Sequence, residues 1–327
     1  MRVAVISGGR SSEHDISVMS GLAVADGLRS AGHEVLPILI EKGGAWIHEG
    51  RPVSVRPGEG LEAGGELLAI DVAFPILHGP FGEDGVTQGA LDTAGLAYVG
   101  SDVLGSAVCM DKLTLKKVCG FHGVPQVDFV QAFTDGWEAR AKAMEHPLWV
   151  KPSRLGSSVG ITKVEDDADL AAAVEAAAGH DPRVIIEANS AGREVECSVL
   201  GNARPEASLP GEIVADGEWY DFEAKYTEGR MDLVVPAAIG EAATAELREL
   251  AARVFTLAGC SGLARCDFFV EPGGRILLNE INTIPGFTQT SVYAKLWEAS
   301  GLPYPDLCDR LIQLALERHH EESEHTF

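Results

Sequence analysis

Apolar residues fall along this chain in short runs and helical stripes, punctuated by glycine. Val3 to Ser7 is a β-branched run of strand length. After a glycine turn, a 3.6-residue period from Ile16 to Ala31 predicts a helix that Gly32 ends. Val35 to Ile40 and Asp71 to Leu77 (DVAFPIL) read as further strands. Strand, loop, helix, strand in that order predicts a small parallel sheet with helices. Glycine directly after the first strand suggests a ligand edge at the strands' carboxyl ends.

A second unit begins near Ser101. A helix around Cys109 to Phe121 leads to short strands at Trp149–Val150, Val159–Lys163 and Val184–Glu187, with an alanine-rich helix from Asp166 to Ala178 between the last two. A third unit follows Gly192. It holds strands at Val195–Leu200 and Glu212–Val214, a polar stretch from Ala215 to Gly229, a helix from Ala242 to Ala258, and a hairpin. These shifts divide the chain into 1–100, 101–190 and 191–327.

The hairpin carries the strongest chemical pattern. Arg265–Val270 (RCDFFV) and Arg275–Asn282 (RILLNEIN) flank Glu271-Pro272-Gly273-Gly274. With those four residues as the loop, Val270 pairs with Arg275, Asp267 lies opposite Leu278, and Arg265 lies opposite Glu280. Alternation then puts Arg265, Asp267, Glu280 and Asn282 on one face, and Cys266, Phe268, Leu277 and Ile281 on the other. A one-residue slip would scatter the polar set. Two carboxylates and an amide oxygen are hard donors of the kind magnesium takes alongside phosphate. The same face also suits a surface salt bridge centred on Arg265. The strand runs into Thr283-Ile284-Pro285-Gly286-Phe287-Thr288, a glycine turn with hydroxyls that suits an anion-binding backbone nest.

Other stretches carry weaker versions of the same chemistry. Lys151-Pro152-Ser153-Arg154-Leu155-Gly156-Ser157-Ser158-Val159-Gly160 joins two strands through a glycine–serine loop able to wrap phosphate, with Lys151 as a point charge; an ordinary hairpin loop reads the same way. Lys112 suits a second phosphate contact or a solvated helix position. Glu187 to Glu194 (EANSAGRE) suits either a hinge that reads a nucleoside or a plain linker. Glu13 could bind an ammonium, or could be a helix N-terminal acid favoured by the macrodipole. His78 to Gly89 (HGPFGEDGVTQG) follows a buried strand with glycines and charges, as a surface loop or a site-lining one would.

Composition narrows the partners. The 327 residues include 49 acids against 26 bases, a net charge of −23, which argues against nucleic acid or an anionic membrane as partner. No apolar run approaches the ~18 residues that span a bilayer, and the opening MRVAVISGG is too short for a signal-peptide core, so a cytoplasmic location is expected. Cys109, Cys119, Cys197, Cys260, Cys266 and Cys308 form no C-x-x-C pair and read as reduced core residues rather than a zinc site. The tail HHEESEHTF reads as a solvated, frayed terminus, with a metal-binding tail as the alternative. Neither G-x-G-x-x-G nor a P-loop is present.

Taken together, GGRSSEHDISVMSG, HGPFGEDGVTQG, MDKLTLKK, VKPSRLGSSVGITKV, GREVECSVLGN, EAKY, ARCDFF and LNEINTIPGFTQTS stand in the order seen in the D-alanine–D-alanine ligases of the ATP-grasp superfamily. The chain resembles that family over nearly its whole length. The resemblance implies an α/β ATP-grasp architecture: a Rossmann-like N-terminal parallel sheet domain, then central and C-terminal α+β domains clamping ATP. It implies that Lys112, Lys151, Ser157, Ser158 and Lys225 contact ATP. Glu187 and the backbone of Ala188, Asn189 and Ser190 would take the adenine, and Glu194 the ribose. Asp267, Glu280 and Asn282 would hold two Mg²⁺ or Mn²⁺ ions. Glu13 would anchor the first D-alanine's ammonium, with His78 and Glu83-Asp84-Gly85 bordering the cleft. Glu13, Ser157 and Tyr226 would form a hydrogen-bonded set closing the loop that carries Lys225. Arg265 and the Gly286 N–H would form an oxyanion hole, and Ser291 would receive the second D-alanine's carboxylate. Asn189 stands where many relatives have a bulkier apolar residue. The implied reaction joins two D-alanines through a D-alanyl phosphate, for peptidoglycan precursors, in a homodimer. Relatives that use D-lactate or D-serine second would share the metal and ATP residues, and Tyr226 points to an amine acceptor.

Overall fold

The computed structural model describes residues 1–156, 158–215 and 231–325. The expectations for Ser157, Lys225 and Tyr226, and for the polar stretch beyond Ala215, lie outside the described residues.

The chain opens with β1 (Arg2–Gly8), α1 (His14–Ser30), β2 (Glu34–Ile40), β3 (Trp46–His48), β4 (Arg51–Arg56), β5 (Gly60–Ala63), β6 (Glu66–Leu67) and β7 (Val72–Pro75). The sheet order is β6-β5-β4-β3-β2-β1-β7. β1 lies parallel to both β2 and β7, as the strand–helix–strand pattern predicts. The antiparallel wing β3–β6 is an addition. β4 alternates only between half-buried and exposed positions, so its apolar period is too weak to read from sequence. β1 is apolar on both faces because both are covered. Val3 and Val5 pack with Val24 and Leu28 of α1, whereas Ala4 and Ile6 join the cluster of Leu91 and Ala94. α1 stops where Gly32 takes φ +88° and the His33 N–H reaches Leu28 O (3.0 Å), a left-handed cap that glycine accepts without strain.

The middle of the chain holds α2 (Val86–Ala94), α3 (Val103–Met110), α4 (Lys112–Phe121), β8 (Phe129–Gln131), α5 (Trp137–Lys142), β9 (Leu148–Pro152), β10 (Thr162–Val164), α6 (Asp167–Ala178) and β11 (Val184–Ala188). Its four strands run β10-β9-β11-β8. The helix expected around Cys109 to Phe121 is two helices. Asp111 takes an extended backbone between them and caps α4, accepting the Thr114 N–H at 3.1 Å. Ser153 Oγ (2.8 Å) and Arg183 Nε (2.6 Å) hold the same carboxylate. The strand expected from Val159 begins only at Thr162, because residues 158–160 form a turn.

The remainder comprises β12 (Arg193–Gly201), β13 (Glu206–Ala207), β14 (Gly211–Ala215), β15 (Met231–Val234), α7 (Glu241–Leu257), β16 (Gly262–Val270), β17 (Ile276–Asn282), α8 (Val292–Ala299) and α9 (Tyr304–Ser323). The sheet runs β15-β14-β12-β16-β17, with β13 beside β12. The tail expected to fray from His319 is helical to Ser323. Arg318, the residue before that tail, is buried and donates to Gly100 O (2.8 Å) and Tyr98 O (3.2 Å). All six cysteines are buried and unbridged. Among the described residues, no helix is long and apolar enough to cross a membrane.

The β16–β17 hairpin corrects the expected register twice. Its tip is one residue tighter, since Val270 faces Ile276 and the Glu271 N–H bonds Arg275 O (3.0 Å). That slip alone would scatter the polar residues. A bulge at Asn279 then adds one residue, so Phe268 faces Leu278 whereas Asp267 faces Glu280 and Arg265 faces Asn282. Leu278, not Leu277, joins Cys266, Phe268 and Ile281 in the core. Arg265, Asp267, Glu280 and Asn282 share one face because the two shifts compensate.

Candidate active site

A cleft of about 330 Å³ runs between the four-stranded and six-stranded sheets. It brings together the glycine–serine loop (Gly156, Ser158), the linker from Glu187 to Glu194, and the hairpin face with Asp267 and Glu280. Lys112, the first residue of α4, joins two of these. Its Nζ donates to Leu155 O (2.9 Å) and lies 3.2 Å from Glu280 Oε2. Lys151 and Glu187 project from neighbouring strands, with Nζ to Oε2 at 2.6 Å. Lys116, one helical turn beyond Lys112 and only 1% exposed, approaches the other oxygen at 3.0 Å. Burial alone would push the Glu187 carboxyl up, but Lys116 and Lys151 together outweigh it and hold it at about 2. In the linker, Ala188 N–H donates to Asp128 O (2.9 Å) and Asn189 Oδ1 accepts the Trp149 indole N–H (3.0 Å). Ser190 Oγ reaches Glu271 Oε1 at 3.3 Å, fastening the linker to the hairpin turn.

Three carboxylates stand in a row across three strands: Glu196 on β12 faces Asp267 on β16, which faces Glu280 on β17. Arg265 lies in the next row with Asn282. Its guanidinium donates twice to Asp267, at 2.8 and 2.7 Å, and its Nε lies 2.9 Å from Glu196 Oε2. Burial opposes the charge on Arg265, but Asp267 and Glu196 outweigh it and hold the group well above its usual range. Asn282 Nδ2 donates to Asp267 Oδ2 (3.0 Å). Asp267 and Glu280 present carboxylates on one face and Asn282 adds an amide beside them, with Arg265 and Lys112 balancing the carboxylates. That donor set fits a magnesium or manganese ion arriving with phosphate oxygens. Among the described residues, no group of three His, Cys, Asp or Glu is arranged to hold a metal ion.

The third cluster lies at the carboxyl ends of β1 and β7. Glu13, just before α1, is buried. A Cβ on Gly79, which has φ +75°, would lie 2.7 Å from Glu13 Oε2, so only glycine lets that loop approach the carboxylate. From the other side a Gly156 Cβ would stand 3.6 Å from the same oxygen. The neighbouring Ser11 Oγ donates to His78 O (2.6 Å). His78 Nδ1 pairs with Ile284 O (3.0 Å) and Nε2 with Ser20 Oγ (3.1 Å). Burial lowers the His78 pKa, against the pull of Glu13. Glu83 accepts from Gly79 N–H (2.6 Å) and Ile284 N–H (3.2 Å), and burial plus the Glu13 charge raise its carboxyl to about 8. The loop from Thr283 ends at Ser291, whose Oγ accepts the Thr288 N–H (2.9 Å). A Cβ on Gly286 would approach Ser291 Oγ to 3.4 Å.

Sequence reasoning missed Lys116 and Glu196. Each had a weak signal: Lys116 lies four residues from Lys112 on one helical face, and Glu196 shares a strand face with Glu194.

Comparisons with known proteins follow this geometry. The family model "D-ala D-ala ligase N-terminus" matches residues 2–101, and "D-ala D-ala ligase C-terminus" matches residues 117–313. A D-alanine–D-alanine ligase of Solibacter usitatus is 46% identical over 325 residues, covering 98% of this chain and 97% of that protein. One from Deinococcus radiodurans is 45% identical, covering 97% and 98%. Among solved structures, the D-alanine–D-alanine ligase of Coxiella burnetii superposes with a TM-score of 0.90 at 36% identity, over 99% of this chain and 96% of that one. The VanG D-Ala:D-Ser ligase of Enterococcus faecalis does so at 0.87 and 35%, over 96% and 99%.

Proposed function

The chain belongs to the D-alanine–D-alanine ligase family, and from that premise we propose that it joins two D-alanine molecules through a D-alanyl phosphate, using ATP as phosphoryl donor. The observation that carries this reading is the convergence of phosphate-type lysines, a hard-oxygen face and a buried ammonium-type carboxylate on adjoining walls. Glu187 and the backbone of Ala188, Asn189 and Ser190 take the adenine, in a linker that the Ala188 N–H ties to Asp128 O. Glu194 takes the ribose. Lys112 and Lys151 exchange Glu280 and Glu187 for phosphate oxygens. Asp267, Glu280 and Asn282 would hold Mg²⁺ or Mn²⁺, which supplies positive charge against the phosphates when bound.

Glu13 fixes the first D-alanine's ammonium, so that its carboxylate attacks the γ-phosphorus and ADP leaves. The amine of the second D-alanine, having lost its extra proton, then attacks the acyl carbon. Charge develops on the carbonyl oxygen facing Arg265 and the Gly286 N–H, and phosphate leaves as the peptide bond forms. One such donor is typically worth ~10²–10³ in rate. Ser291 receives the second substrate's carboxylate. Its own bonds to Thr288 hold it at the start of α8. The cytoplasm supplies the ATP that this reaction consumes.

The test is product analysis with Mg·ATP and D-alanine. ADP and phosphate should appear in step with dipeptide. AMP and pyrophosphate would overturn the acyl-phosphate route. Offering D-serine and D-lactate beside D-alanine then reads the choice of second substrate directly.

A further inference from the structure

We propose that Glu196 is the positioning residue that keeps Arg265 in place when Asp267 changes partner. The proposal rests on the ligase reading above. In this structure the Arg265 guanidinium forks onto Asp267 through two bonds, at 2.8 and 2.7 Å. Asp267 is also one of the three oxygen donors that converge on the hairpin face. The carboxylate that holds Arg265 is therefore one that turns to another cation during the reaction. A guanidinium released at that moment could not stay fixed where the acyl oxygen becomes charged, and its catalytic value lies in being fixed beforehand.

Glu196 supplies a second hold from a different strand. It faces Asp267 across β12 and β16, and its Oε2 lies 2.9 Å from Arg265 Nε. Its side chain is 7% exposed and that of Arg265 is 16%, so water screens the pair weakly. Glu196 stands beside Asp267 in the same cross-strand row and is turned to the Arg265 guanidinium. It acts on the reaction through Arg265. The excess of carboxylate around a single arginine, which looks wasteful in a static site, gives that arginine a partner both before and after Asp267 is recruited.

The measurement is Glu196→Gln in the full-length enzyme, which keeps the shape and removes the charge. We expect an ATP KM within about threefold of wild type and a kcat for dipeptide lowered about 10- to 100-fold, less than the loss of a whole oxyanion donor. We also expect more than one ADP per dipeptide, because D-alanyl phosphate still forms but is aminolysed slowly and is lost to water. Glu196→Asp should restore part of the coupling. Adding Glu196→Gln to Arg265→Ala should cost little further, because the two residues act as a unit. A Glu196→Gln enzyme that makes dipeptide at the wild-type rate with one ADP each would overturn the proposal. So would a loss of kcat that merely tracks a loss of folded protein while ADP and dipeptide stay equal. If the glutamine variant does not fold, the aspartate variant carries the same comparison: ADP in excess of dipeptide supports the role, and strict equality refutes it. Failure of the wild type to make dipeptide is a different result, and would overturn the ligase reading itself.

Discussion

Glu83 and Glu187 meet burial with different neighbours, and they titrate in opposite directions. Glu187 is gripped by Lys116 and Lys151, so its folded pKa falls from 4.5 to about 2. Its contribution to stability is present above pH 4.5 and is lost as pH falls toward 2. Glu83 loses water on folding and faces Glu13, and these two effects outweigh the backbone N–H groups of Gly79 and Ile284 that favour its carboxylate, so its pKa rises from 4.5 to about 8. Between those values the unfolded chain ionises while the folded one stays protonated, so Glu83 costs stability progressively as pH rises from 4.5 to 8. Glu83→Gln mimics the protonated acid. Its melting temperature relative to wild type should climb between pH 5 and 8 and level off above; a difference constant with pH would contradict the assignment. Lys116→Met should cost about 3 kcal/mol in urea unfolding, because a buried carboxylate loses one of its two cations. It should also raise the KM for ATP as Glu187 swings fully to Lys151. A variant as stable as wild type would show that Lys151 alone compensates Glu187.

At the scale of elements, a bulge reconciles the register of the hairpin tip with the facing of the site. Asn279 lets Leu278 enter the core while Glu280, two residues on, faces the cleft. Deleting Asn279 makes Leu278 and Glu280 neighbours, and strict alternation then keeps Leu278 on the core side and Glu280 toward the cleft. The deletion should therefore keep a cooperative thermal transition, with a midpoint within about 5 °C of wild type. A deletion variant that no longer unfolds cooperatively would mean that the extra residue serves more than the facing of Leu278 and Glu280. The break at Asp111 is a similar device. It ends α3, caps α4, and so sets Lys112 and Lys116 on the turn that faces Leu155 and Glu187.

Over the whole molecule, the last helix completes the first sheet. Leu307, Leu311, Ile312 and Leu314 of α9 share one core with Val3, Val5, Val24 and Leu28. Phe287, from the loop after β17, lies in the same core, stacked near Tyr293 and Tyr304 and held by the Tyr304 hydroxyl on its carbonyl (2.8 Å). The loop after β17 is thereby anchored to the core of the N-terminal sheet. Leu311→Ala should cost about 3 kcal/mol, within the usual range for a fully buried leucine. The loss should appear in a single thermal transition, because the core it opens joins both ends of the chain. Two separate transitions would show that α9 and the first sheet unfold independently.

The sequence alone determined the elements whose period is strong: β1, α1, β2, β7, α6, α7 and the β16–β17 hairpin. Local propensity and one buried face suffice to specify them. It also placed Arg265, Asp267, Glu280 and Asn282 on one face, since alternation needs only parity, and the tight tip and the bulge at Asn279 restore parity between them. Tertiary structure decided what depends on distant partners. The β3–β6 wing has too little burial to mark its strands. Lys116 becomes a partner of Glu187 only when α4 meets β11, and Glu196 a partner of Arg265 only when β12 meets β16. The docking of α9 on α1 joins positions almost 300 residues apart, and no local pattern encodes such a contact. The raised Glu83 carboxyl is likewise the product of burial and of the Glu13 charge, working against the N–H groups of Gly79 and Ile284, and only the folded chain brings these together.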